Sequence, residues 1–496
     1  MGGCKEAEGR SLAGTRAAVA CATGLAVAAG VLSSAVPAVA TGPIGAQHRV
    51  SSVAPDGVPS VTIQRPDVAF DPVNQRSLVV WTDEASPGAS EIYGRMLDAD
   101  GVPLGDTFQI SQMGPSPADG FEAVAPVVAY NRLSERFLVV WAGDDERPGL
   151  ADNENEIYGQ LIDGAGNEIG PDDFRISVIG DDGDPDRDAF RPGVVANDGT
   201  GEFVAVFRGD QLADQDFEIH ARRIAADGSL QGSQVMVSDL FGTDWQAGDP
   251  VITFNPVTSQ YLVVFHGRES DSGLAVGEAE VFAQLLSPQL VEQGVDDRQI
   301  TTTPTRGAFR PTVATNTADG TYLVVWDADP QVFQRAEVRG DLLTPEGAPV
   351  NGGDGITISA MQPLGVRGPS ACEPTVVYRP DRNEYLVAWR GVRLLGTPDT
   401  EEACSETNDE LEAFGRRINA SGNPLGAQRQ ISQIGPDGDV RFNMAGRVAM
   451  APVDRGRIQT VWTADGGAAG TAIADGQLEV FARQWGPEPP APPQSP

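Results

Sequence analysis

The chain has 496 residues, 70 of them Asp or Glu against 35 Lys or Arg, for a formal charge of −35. That balance repels phosphate backbones and leaves no basic stripe, which excludes DNA and RNA as partners. Lys5 is the one lysine, so Schiff-base and P-loop lysine chemistry are excluded from any mature form.

The N-terminal segment places Lys5, Arg10 and Arg16 ahead of an Ala/Val-rich run over 17–40 that closes on Ala38-Val39-Ala40. Charge, then apolar run, then small-residue site is the order of an export signal. Residues 1–40 are therefore read as a signal peptide, and the mature protein is expected to be secreted or held at the cell surface. Cys21 is a poor lipidation site because most of the apolar run follows it. Nothing later reaches the roughly 20 apolar residues of a membrane span.

From residue 65 a β-rich phrase recurs at a period of about 60 to 70 residues. The first copy runs Arg65 to Phe70, a turn, Leu78 to Trp81, a loop, Glu91 to Asp98, a turn, and Phe108 to Ser111, which makes four strands, A to D. Strand B ends in an aromatic in every copy: Trp81, Trp141, Phe207, Phe265, Trp326, Trp389 and Trp462. Strand A opens at a proline in six copies (Pro66, Pro126, Pro192, Pro250, Pro311, Pro374), where a missing N–H breaks no ladder bond. Strand C carries Gly or Ala at one position, as at Gly94, Gly159 and Gly340, and the small residue is expected to sit under the strand B aromatic. The C to D turns hold Asp98-Ala99-Asp100-Gly101, Asp163-Gly164-Ala165-Gly166 and Asn419-Ala420-Ser421-Gly422, the Asx and Gly chemistry of tight hairpins rather than calcium loops.

The seventh copy ends at strand C, Leu478 to Arg483, with no strand D after it. The missing strand lies at the other end: Pro43-Ile44-Gly45-Ala46-Gln47-His48-Arg49-Val50-Ser51 repeats Pro424-Leu425-Gly426-Ala427-Gln428-Arg429-Gln430-Ile431-Ser432 almost letter for letter. The fold expected is all-β, a seven-bladed β-propeller over residues 41–485 in which the N-terminal strand closes the last blade. Residues 486–496 are read as a Pro-rich disordered tail. Such a domain is expected to act as a monomer.

These phrases, Leu-Val-Val-Trp, Ile-Tyr-Gly-Arg, Leu-Asp-x-x-Gly and a closing Ile-Ser, resemble those of secreted bacterial β-propeller repeat proteins. The resemblance implies the fold; the matched positions are core and turn residues and imply no activity.

Function is sought on the face of the D to A and B to C connections, where propeller sites gather round the channel mouth. Long B to C loops follow the strands of copies two, four and six. The acidic stretch Asp181 to Asp188 offers Asp182, Asp184, Asp186 and Asp188 as ligands for Ca²⁺, with a solvated acidic loop as the competing reading. Phe190-Arg191 and Phe309-Arg310, with Trp245 in a comparable connection, are candidates to stack on and hydrogen-bond a sugar or carboxylate. The competing reading wedges the rings between blades and pairs the arginines with local acids. Of the three histidines, His266 is the best-placed acid or base because it follows the strand B aromatic Phe265. Cys372 and Cys404, the pair left after export, are expected to form a disulfide on this same face. No Gly-x-Ser-x-Gly, His-Glu-x-x-His or Cys-x-x-Cys is present. The expectation is an exported binding or adhesion propeller for extracellular glycan or protein, with or without calcium. A carbohydrate-active hydrolase or lyase on the same scaffold and a structural surface protein are the alternatives.

Overall fold

The computed structural model describes residues 41–51, 62–86, 89–114, 121–145, 149–151, 153–211, 216–240, 246–267, 279–302, 307–328, 336–353, 355–361, 370–395, 409–434, 444–465 and 478–487. Residues 1–40, Trp245, Cys404 and residues 488–496 lie outside them. Among the described residues no helix is long and apolar enough to cross a membrane.

The strands group into seven four-stranded antiparallel sheets, and six of these take four consecutive strands in order A-B-C-D. Blade 3, for example, is Ala189–Asn197, Glu202–Gly209, Glu218–Ile224 and Leu230–Met236. The seventh joins Met444–Val453, Arg457–Asp465 and Leu478–Pro487 to the N-terminal strand Thr41–Arg49. Each A strand packs on the A strands of both neighbouring blades, blade 7 on blade 1 included. The seven sheets therefore close a ring with the A strands around its axis, as the repeat predicts. The closing pair runs further than expected: Gly486 and Pro487, assigned to the tail, pair with Gly42 and Thr41.

The apolar core divides into seven inter-blade layers. Each strand B aromatic packs on the blade before it: Trp81 with Val480 and Ala482, Trp141 with Ile92 and Met113, Trp462 with Leu411 and Ile431. The small strand C residue in the aromatic's layer is therefore that of the preceding blade, as Ala482 is for Trp81 and Ala283 for Trp326. A Cβ at Gly94, Gly159 or Gly340 would instead stand within 3 Å of a strand-following isoleucine of the same blade, Ile110, Ile176 or Ile358. Trp141 is fully buried with its indole N–H on the Met113 sulfur at 3.4 Å. Trp141→Ala is expected to remove roughly 3 to 5 kcal/mol of unfolding free energy, measured by denaturant titration.

A second repeated device ties strand C to the end of strand D. The carboxylates of Glu91, Glu156, Glu218, Glu280, Glu412 and Glu479 each accept a hydrogen bond from a Ser or Thr hydroxyl: Ser111, Ser177, Ser238, Thr301, Ser432 and, across the closure, Ser51. The same hydroxyl accepts a backbone N–H of strand C, as from Ile92 at 2.7 Å and Val480 at 2.8 Å. The closing Ile-Ser of the repeat is thus a latch whose other half is the glutamate opening strand C. The hairpin turns behave as read: Asp98 Oδ1 accepts the N–H groups of Asp100 and Val102, and Asn419 Oδ1 those of Ser421 and Asn423.

Candidate functional site at the channel mouth

The conserved geometry of strand A, and not its ends, builds the site. In each A strand the register slips where X-Pro occurs: between Gln64 and Asp67, Val124 and Val127, Phe190 and Gly193, Gly248 and Val251, Phe309 and Thr312, Cys372 and Thr375, with the blade 7 slip between Ala445 and Ala449. The prolines therefore sit inside their strands at β-bulges rather than opening them, which corrects the sequence expectation: at the bulge the absent N–H breaks no ladder bond. The residue before each proline is left-handed: φ is +50° at Arg65, +56° at Ala125, +55° at Arg191, +46° at Asp249, +50° at Arg310 and +52° at Glu373. Blade 7 has Gly446 there, at +74°. A bulky residue in this region ahead of proline is strained.

Those seven positions form a ring lining one cavity of about 360 Å³, together with Arg447 and a floor that includes Pro126, Pro192, Pro250, Pro311, Pro374, Val127 and Val251. Backbone and prolines repeat, while the ring side chains do not: Arg, Ala, Arg, Asp, Arg, Glu, Gly in blade order. Behind the ring stands the strand B residue that follows the aromatic: Thr82, Ala142, Arg208, His266, Asp327, Arg390 and Thr463.

In blades 5 and 6 this rear residue carries the charge opposite to the ring residue of its own blade, while in blade 4 it is a histidine. His266 Nδ1 is 3.7 Å from Asp249 Oδ2, and Arg191 Nε from the preceding blade is 3.7 Å from Oδ1. Burial alone would raise the Asp249 carboxyl, but His266, Arg191, Arg65 and Arg310 together hold it below the usual carboxylate range. Arg310 Nε donates to Asp327 at 2.9 Å and Nη1 lies 3.5 Å from Glu373. Burial would weaken that guanidinium's hold on its proton, and Asp327 prevails in raising it. Glu373 is in turn 3.5 Å from Arg390 Nε.

The arginines of blades 1, 3 and 7 have no such rear acid. Behind Arg65 is Thr82, whose hydroxyl is taken by the Ala125 N–H at 3.1 Å, and behind Arg191 is a second cation, Arg208. Burial first, then the charges of Arg191 and Arg447, push Arg65 down to about 10. Among the described residues neither Arg65 nor Arg447 has a carboxylate within ion-pair distance.

The sequence candidates fall on both sides of this site. Arg191 and Arg310 are ring members. Phe309 instead packs edge-on against His266 at 5.8 Å, and Phe190 lies 6.4 Å from Phe217, over which Arg208 stacks at 3.8 Å. Neither phenylalanine lines the cavity. His266 does not line it either: its ring lies over Gly248, where a Cβ would stand 2.8 Å from Cε1. Burial, aided by Arg208, Arg310 and Arg191, lowers its pKa against the pull of Asp249. It stands beside Asp249 and does not face the cavity. Trp245 lies outside the described residues.

The four loop aspartates do not converge. Asp182 accepts from Arg175 at 2.8 Å, Asp184 is 3.7 Å from Arg187, Asp188 accepts from Asn155 at 2.9 Å, and Asp184 accepts the Asp186 N–H at 3.2 Å. Among the described residues the carboxylates that do gather within 4.8 Å are Asp239, Asp296 and Asp297, between blades 3 and 4. Cys372 is buried beside Ala336, and its expected partner Cys404 lies outside the described residues.

Sequence reading missed Arg65, Asp249, Glu373 and Arg447. The signal available was the recurrence of a charged residue before the strand A proline.

No family model and no curated protein matches the chain. Solved structures do: the GH93 α-L-arabinofuranosidase of Fusarium graminearum with arabinobiose is 12% identical, over 66% of this chain and 92% of that one, TM-score 0.43. The endo-arabinase of Bacteroides thetaiotaomicron is 12% identical over 54% and 89%, TM-score 0.33. Trypanosoma rangeli sialidase with the inhibitor DANA is 11% identical over 76% and 56%, TM-score 0.41. At these values the likeness carries no inference about activity.

Proposed function

We propose that this chain is an exported propeller whose channel mouth binds an extracellular saccharide. The observation that supports it is the ring itself. A scaffold needing only structural fill would repeat its ring residue as it repeats its bulges and prolines. Six strained non-glycine positions, five of them charged and of mixed sign, instead line one cavity, and strain retained at a cavity is a mark of ligand sites. An apolar floor of proline rings under a charged rim suits a molecule with a C–H face and polar edges.

Cleavage of the saccharide is the second reading, and one contact favours it: Asp327 and Glu373 approach the same Arg310 guanidinium, which brings two carboxylates close. Both are engaged by guanidinium groups rather than presented as a free acid and base, and glycoside cleavage needs one of each. Binding is therefore the reading preferred.

Ala125→Trp fills the mouth without removing any ion pair. Binding on a glycan array is expected to be lost while the melting temperature moves by no more than about 2 °C. Array binding that survives this substitution rules the mouth out, and release of reducing ends from the bound glycan replaces the binding reading with the hydrolytic one.

A further inference from the structure

The charges round the mouth are unevenly matched. The ring and its neighbour Arg447 bring four arginines against Asp249 and Glu373. In blades 4 to 6 every ring charge has an opposite charge beside it: Asp249 the guanidinium of Arg191, Arg310 the carboxylate of Asp327, and Glu373 the guanidinium of Arg390. In the other half Arg65 backs onto a threonine already hydrogen-bonded elsewhere, Arg447 onto the blade of Thr463, and Arg191, which shares Asp249 of blade 4 at 3.7 Å, onto a second cation, Arg208. Between the blades of Arg65 and Arg191 stands blade 2, whose ring residue is Ala125 and whose rear residue is Ala142. That leaves a ring position without side-chain bulk, flanked in ring order by the guanidinium groups of Arg65 and Arg191, which line the same cavity.

Resting on the reading of the mouth as a saccharide site, we propose that its ligand is an acidic saccharide, whose anionic group sits over Ala125 between Arg65 and Arg191. The shared chemistry is a planar or tetrahedral oxyanion, a carboxylate or a sulfate ester, which arginine forks grip through paired N–H donors. Such an anion supplies the charge that this half of the ring lacks. The overall charge of −35 disfavours loose attraction of anions to the surface, so selectivity must come from this local cluster.

The test is titration calorimetry of the mature chain with a hexuronate trisaccharide, its sulfated counterpart and its neutral counterpart. The acidic ligands are expected to bind at least about tenfold tighter than the neutral one, and to weaken as salt rises from about 50 to about 300 mM. The uronate and sulfate arms identify which oxyanion is preferred. Ala125→Asp places a carboxylate at this ring position, between the two arginines in ring order; it is expected to cut acidic-ligand affinity at least about tenfold and to spare the neutral ligand. Arg65→Gln is expected to do the same, with folding of both variants checked by circular dichroism. Equal affinity for acidic and neutral saccharides, blocked by Ala125→Trp, overturns the anionic inference and leaves the saccharide site standing. Absence of saccharide binding, or binding indifferent to Ala125→Trp, overturns both.

Discussion

Removal of residues 41–51 is expected to lower the melting temperature by roughly 10 °C or more, read by differential scanning calorimetry. The segment does three separate jobs at the seam. Its strand Thr41–Arg49 pairs with Leu478–Pro487 from Thr41 against Pro487 to Arg49 against Phe481, and without it blade 7 presents an open sheet edge. Val50 is fully buried in the layer that holds Trp81 and Val480, donates its N–H to the Val480 carbonyl at 2.7 Å, and accepts from Arg95 of blade 1 at 2.7 Å. Ser51 and Arg49 supply the hydrogen bond and ion pair of Glu479, which is 1% exposed. Losing them takes from this carboxylate the hydroxyl and the guanidinium that offset its burial, at a cost of about 3 to 5 kcal/mol. Ser51→Ala separates the latch from the strand: it keeps the sheet edge covered and is expected to cost about 1 to 3 kcal/mol. A melting curve unchanged by the deletion would show that the ring does not depend on its seam.

The seam was legible because closure demands that a strand from one end of the chain satisfy the same neighbours as strand D of every other blade, so Pro43 to Ser51 must look like Pro424 to Ser432. The strand B aromatics were legible for the same reason: an identical niche recurs at every blade interface. What they touch was not, because a strand alternates faces and the sequence does not say which neighbouring sheet each face meets; Trp141 lies on Met113 of the preceding blade, not on Gly159. The ring was hidden by a local rule that the fold overrides. Residues before proline avoid left-handed backbone, so Pro66 or Pro192 reads as the opening of a strand, whereas each lies in mid-strand at a bulge. The charged residues before them look like unrelated variable positions about 60 residues apart until the ring brings Arg65, Arg191, Asp249, Arg310 and Glu373 around one cavity. The glutamate half of the Glu–Ser latch went unread because its partner lies across a hairpin, some twenty positions on.

Acidification should stabilise this protein: the melting temperature at pH 5 is expected to exceed that at pH 8 by something on the order of 5 to 10 °C. Burial raises Asp83, Glu91, Asp173 and Glu218 to about 7 and Asp297 to about 8. In Glu91 and Glu218 the latch hydroxyls of Ser111 and Ser238 oppose that rise without cancelling it. In the unfolded chain these carboxyls ionise near 4 to 4.5. Each therefore holds its proton in the folded state after the unfolded chain has released it. Their stabilising contribution is complete below about pH 4 and is lost as pH rises through 7 to 8. Relief of surface repulsion in so acidic a chain points the same way, but salt at about 0.5 M screens the surface and leaves buried groups largely untouched, so the slope should persist there. Asp83 gives the sharper control. Both of its carboxylate oxygens are buried without a hydrogen-bond partner, and Glu479 is the charge that raises it further. The other blades place Gly143, Gly209, Gly267, Ala328, Gly391 and Ala464 at this position of strand B, so Asp83→Ala fits a niche the fold already builds six times. That variant should raise the melting temperature at pH 8, leave it nearly unchanged at pH 5, and flatten the slope between them. A slope equally steep in Asp83→Ala would show that the proton is held elsewhere, and a profile that falls on acidification would mean these carboxylates are ionised and paired in the folded ring.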